Sequence, residues 1–169
     1  MDQIIVGIAD CRIAEKTGQT LTTYALGSCI GLVVYDPVAT VGGLLHFMLP
    51  DSAIDERLGR DHPYMFADTG IPKLVDLVCE RGASRRRLMV HAAGGAQMIS
   101  QDGAFEIGKR NALAMRKYLW KAGLLLGTEA VGGSHSRSLG LEIGSGRVWL
   151  QEGGVRRDLK PALARKGVK

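Results

Sequence analysis

Residues 29–36 (CIGLVVYD) and 40–49 (TVGGLLHFML) flank the tetrapeptide Asp36-Pro37-Val38-Ala39. Apolar and β-branched residues crowd both flanks, and Asp-Pro opens a turn between them, so the stretch reads as two strands of a β-hairpin. Side chains alternate faces along a strand, which puts Cys29 on one face with Gly31, Val33 and Tyr35, and His46 on one face with Leu44 and Met48. If Asp36 to Ala39 form a four-residue loop, Tyr35 faces Thr40 and Cys29 stands directly opposite His46. Opposed residues of an antiparallel pair hold their Cβ atoms about 4.5–5.5 Å apart. A slip of one residue would send the two side chains to opposite faces, and a slip of two would leave them diagonal on one face.

Outward from this hairpin, residues 3–8 and 19–24 read as earlier strands, and residues 87–92, 124–130, 139–143 and 148–151 as later ones. Asp51 to Pro63 is polar, edged by Pro50 and Pro63, and reads as a mobile surface loop. Ile71, Leu74, Val75 and Val78 recur at helical spacing within Asp68 to Arg81, with Asp68 or Thr69 as the cap, Pro72 tolerable only in the first turn and Gly82 as the stop. A second helix over 107–122 turns Ala112, Met115, Leu119 and Trp120 inward. The fold class is α+β: a layered sandwich in which two amphipathic helices cover a mixed, largely antiparallel sheet. Residues 1–158 form the domain and 159–169 a basic tail, with the last dozen or so residues fraying.

A chain of 169 residues that is 46% hydrophobic can bury the core of one domain. No apolar stretch approaches the roughly 20 residues that span a bilayer, and the acidic start MDQIIVGIAD lacks a basic signal region, so a cytoplasmic protein is expected. Cys11, Cys29 and Cys79 are too few and too irregular for a disulfide framework or a zinc site. The net charge of +5 is concentrated in Arg85-Arg86-Arg87 and in the C-terminal tail. Such runs read as a solvated face or a frayed end, and the lack of interleaved aromatics argues against nucleic acid and for an acidic protein partner.

A thiol needs a base beside it to act as a nucleophile at neutral pH. Spacing alone leaves open that Cys29 is a small buried hydrophobe and His46 a satisfied strand histidine. Two features favour chemistry. Gly27 and Ser28 directly before the thiol let backbone amides approach a bound carbonyl and stabilise its oxyanion, and Thr23 offers a hydroxyl to hold the imidazole tautomer. His62 and His135 fall in a polar loop and a Gly/Ser-rich turn and read as exposed. His91 reads as buried and satisfied, Cys11 and Cys79 as structural, and Gly94-Gly95 and Gly132-Gly133 as turns rimming the site.

The pattern T-x-x-L-G-S-C-I at 23–30 followed by H-x-M-L-P at 46–50 resembles the chemoreceptor glutamine deamidase family, CheD. The resemblance continues through G-G-A-x-M at 94–98, I-G-x-x-N at 107–111 and G-G-x-x-x-R at 132–137. It implies that Cys29, His46 and Thr23 take the positions of the family's catalytic Cys, His and Thr. It also implies a layered sandwich similar to that of deamidating bacterial toxins. The implied activity is hydrolysis of glutamine side-chain amides on methyl-accepting chemotaxis receptors, through a thioester and without metal or organic cofactor. A CheC-type phosphatase is an implied partner. Two alternatives stand beside this: a regulatory module acting mainly through such a partner, and a cysteine deamidase of another protein.

Overall fold

The computed structural model describes residues 2–98, 106–161 and 163. Its strands are β1 Asp2–Ile5, β2 Asp10–Ala14, β3 Gln19–Leu26, β4 Ile30–Asp36, β5 Val41–Phe47, β6 Met89–Gly94, β7 Thr128–Val131, β8 Arg137–Glu142, β9 Val148–Glu152 and β10 Val155–Lys160. Its α-helices are α1 Glu56–Asp61, α2 Ala67–Glu80 and α3 Ile107–Lys121. The strands form two five-stranded sheets, β1-β3-β8-β9-β10 and β2-β5-β4-β6-β7. Each sheet is mixed: β1 runs parallel to β3 and β6 parallel to β7, while the other pairs are antiparallel.

Every residue of β4 and β5 is buried, which explains their unbroken apolar character. Val33, Tyr35 and Leu44 pack between the sheets against Leu21, Leu139 and Leu141. From the other face of the same sheet, Leu32, Val34 and Leu45 pack beneath the helices, against Leu74, Val78 and Met115. The α+β sandwich read from the sequence therefore stands, with one correction: the chain builds two sheets, and the helices cover only one. Alternation along a strand shows that a face is buried without showing whether a helix or a second sheet buries it.

Other expectations change locally. β2 was not read from the sequence, and neither was β10, which stays paired to β9 as far as Lys160. The expected loop at 51–63 holds a 3₁₀ turn, Ser52–Ile54, and α1, each capped by an aspartate (Asp51 and Asp55) that accepts from a backbone N–H. Neither Asp68 nor Thr69 caps α2. Its first flanking residue is Phe66; Asp68 accepts from the N–H and hydroxyl of Ser52, and Thr69 donates to the Pro63 carbonyl. Pro72 sits inside α2 rather than in its first turn. Trp120 points outward, 78% exposed. Within the basic run, Arg87 is no mere solvated charge, since it pairs at 2.8 Å with the fully buried carboxylate of Asp36. Burial opposes that charge, but hydrogen bonds from Arg87 and the N–H groups of Ser84, Ala39 and Val38 outweigh it and hold the carboxyl at about 2. Of the expected frayed end, residues 162 and 164–169 lie outside the described residues.

The hairpin register differs by two residues from the expected one. Asp36 pairs with Val41 and Tyr35 with Gly42, so the loop is Pro37 to Thr40 and not Asp36 to Ala39. Asp36 stays in the strand because its carboxylate accepts from the N–H groups of Val38 and Ala39, while Thr40 closes the loop with a left-handed φ of 58°. Gly31, not Cys29, consequently stands opposite His46.

Candidate active site

Cys29 lies in the bend between β3 and β4, one residue before the strand expected to contain it. Extending the register by two residues makes it a diagonal neighbour of His46, a separation that a long or aromatic side chain can still span. The half-buried Cys29 packs against the cluster between the sheets, and His46 turns into the same space, because its ring meets Thr23 on the opposing sheet. Gly31 makes this meeting sterically possible. A Cβ there would come within 3.3 Å of the Thr23 methyl and 2.9 Å of Leu26.

The Thr23–His46 contact fixes a tautomer. Oγ1 of Thr23 lies 2.8 Å from the carbonyl oxygen of Val6 and 2.8 Å from Nδ1 of His46. A carbonyl can only accept, so the single hydroxyl proton goes to Val6 and the hydroxyl must accept from Nδ1–H. The other nitrogen, Nε2, then carries a bare lone pair, and it is buried with no hydrogen-bond partner among the described residues. Desolvation pulls the imidazole down to about 4, so it is neutral at physiological pH. Burial pushes the Cys29 thiol up, opposed by its own backbone N–H, which favours the thiolate. Both directions favour the uncharged forms, a thiol at Cys29 and a neutral imidazole at His46.

The bend itself is tied down from below. The carbonyl of Gly27 accepts from Ala96 N–H at 2.9 Å, that of Ser28 from Asn111 Nδ2 at 2.9 Å, and that of Cys29 from Gly95 N–H at 2.8 Å. Asn111 also donates, at 2.8 Å, to the carbonyl of Met48, two residues beyond His46. The buried guanidinium of Arg137 donates to the carbonyls of Gly94 and Gly132, and Gln97 N–H reaches Gly133. Gly94-Gly95 therefore borders the cysteine bend directly, and Gly132-Gly133 packs behind it, bonded to Gly94 and Gln97. Gly108 lets α3 approach closely, since a Cβ there would collide with the carbonyls of Gly95 and Ala96.

Sequence reasoning assigned no role to Asn111, Arg137 or the Val6 carbonyl. A signal for Asn111 existed: it falls in the buried stripe of α3 with Ala112, Met115 and Leu119, where a carboxamide needs partners. His62 and His135 are exposed, as read. His91 is buried but not satisfied, because its Nε2 has no partner among the described residues. Cys11 pairs with Leu45, one residue from His46, so it faces the helices, and burial pushes its thiol up to about 12.

The two-sheet α+β sandwich thus holds a buried Thr-His pair and a half-buried cysteine at the space between its sheets. The chain matches the CheD chemotactic sensory transduction family over residues 48–152. It is 65% identical to the probable chemoreceptor glutamine deamidase CheD of Solibacter usitatus, covering 99% of each chain. A probable chemoreceptor glutamine deamidase CheD of Syntrophus aciditrophicus is 43% identical over 94% of this chain and 100% of its own. Another, from Thermococcus kodakarensis, is 38% identical over 89% of this chain and 92% of its own. This chain belongs to the CheD family. Among the described residues, no helix is long and apolar enough to cross a membrane.

Proposed function

We propose that this chain hydrolyses glutamine side-chain amides of chemoreceptors to glutamate, with Cys29 as nucleophile, His46 as base and Thr23 as the group that orients the imidazole. The observation carrying this reading is the bare Nε2 of His46, its tautomer set by a threonine whose own proton is committed to Val6. The names borne by full-length relatives supply the substrate class.

Nε2 takes the thiol proton while Sγ attacks the carboxamide carbon. The resulting oxyanion is met by the backbone N–H groups of Ser28 and Cys29, and Gly27 leaves their approach unobstructed. The imidazolium then protonates the departing nitrogen, which leaves as ammonia, and a γ-glutamyl thioester remains. Water, deprotonated by the same Nε2, cleaves the thioester to give glutamate and restores the thiol. Positioned proton transfer contributes roughly 10²–10⁴-fold and each oxyanion donor roughly 10²–10³-fold, so these residues supply the chemistry. The reaction then belongs in the cytoplasm, the location expected from the sequence. By family resemblance the scaffold is similar to that of deamidating toxins, and a CheC-type phosphatase is a partner.

The test is incubation of receptor fragments with the wild-type protein, Cys29→Ala and His46→Ala, read as conversion of glutamine to glutamate by mass. Turnover by the wild type and its loss in both folded variants is the expected result. Unchanged turnover in either variant would remove that residue from the mechanism.

A further inference from the structure

Three successive carbonyls around the thiol, those of Gly27, Ser28 and Cys29, are drawn into the protein by Ala96, Asn111 and Gly95. Across a trans peptide the C=O and the following N–H point in opposite directions. Tying back the carbonyls of Gly27 and Ser28 therefore turns the N–H groups of Ser28 and Cys29 the other way. Two of the three tethers are main-chain groups of one segment; the middle one is a side chain from α3. Asn111 is fully buried, and its two amide protons go to two different places: the peptide that carries Cys29, and the backbone at Met48 that continues from His46. No other side chain among the described residues bonds to both segments.

We propose that Asn111 is a positioning residue: its carboxamide locks the cysteine bend and the histidine strand into one arrangement, aiming the Cys29 N–H at the nascent oxyanion and holding the thiol at the imidazole. The proposal rests on the dyad reading above. Losing the clamp leaves two buried carbonyls unpaired and lets the bend drift against β5. Misplacement of a reacting group on the scale of an ångström costs roughly 100-fold in rate.

The experiment measures Asn111→Ala and wild type side by side for receptor-fragment deamidation and for alkylation of Cys29 by iodoacetamide, with Cys79 as an internal control in the same digest. In the folded variant, kcat should fall roughly 10- to 100-fold with KM within about threefold. Alkylation of Cys29 should slow while that of Cys79 does not. A folded variant with wild-type kcat and wild-type Cys29 alkylation overturns the proposal. A wild type that alkylates normally yet deamidates no receptor fragment overturns the substrate reading instead, and the alkylation comparison still decides the role of Asn111. Should Asn111→Ala not fold, Asn111→Asp replaces it: a neutral acid can donate one of the two hydrogen bonds and a carboxylate neither. Because burial at this fully enclosed position raises a carboxyl's pKa, the variant's kcat relative to wild type should rise as the pH falls from about 8 to about 5.5. A ratio that stays constant overturns the proposal.

Discussion

His46 and His91 flank β4 from either side, paired to Gly31 and Val33, and both turn into the space between the sheets. Each rests its Nδ1 on a threonine hydroxyl, at 2.8 Å from Thr23 and 2.6 Å from Thr128, and each leaves Nε2 buried without a hydrogen-bond partner among the described residues. Desolvation lowers both to about 4, with Lys160 adding to the effect at His91. They differ in what lies behind the threonine. Thr23 spends its proton on Val6, so His46 must donate from Nδ1 and present a lone pair at Nε2. At His91 the backbone N–H of Thr128 donates to Nδ1, which is therefore an acceptor, and the ring proton sits on Nε2. Two similar histidines carry opposite tautomers. Only His46 presents a bare Nε2 lone pair.

The difference can be broken at four points, in order of decreasing expected effect. His46→Ala should lower kcat for receptor-fragment deamidation by roughly 10²–10⁴-fold, whereas His91→Leu should leave it within twofold; steady-state kinetics of the two folded variants checks this. Acid stability should respond to both histidines. A pKa lowered on folding means that the unfolded chain binds the extra proton first, so stability falls as pH drops through 6.5 and the loss is complete near 4. A shift of this size corresponds to roughly 3 kcal/mol for each group. Denaturant titrations between those pH values should show a shallower loss for His91→Leu than for wild type. Thr23→Val should lower kcat by roughly tenfold, and Thr23→Ser should restore most of it, because the loss is one of tautomer and orientation. Thr128→Val should change kcat by less than twofold, so a large loss there would dissolve the distinction between the two sites.

Much of the site was legible before the fold. The motif around Cys29, the strand holding His46 and the candidate hydroxyl of Thr23 all come from local pattern and family resemblance. The register was not legible, since whether Asp36 joins the loop or the strand depends on its carboxylate capping the turn while Arg87, 51 residues away, neutralises it. Nor could the sequence tell His46 from His91, because the distinguishing group is the main-chain carbonyl of Val6, on the segment following β1. Asn111 carried a readable signal, a polar residue in a buried helical stripe, but its two partners lie 83 and 63 residues away.

By itself the sequence determined the strands and helices that hold the site, the cysteine and histidine proposed as nucleophile and base, and the family. Those are matters of short-range periodicity and motif. The tertiary structure alone decided that there are two sheets, that Gly31 rather than Cys29 faces the histidine, and which imidazole nitrogen is bare. Each of these depends on a hydrogen bond or a packing contact between segments distant in the chain, and such contacts leave no periodic trace in the residues that make them.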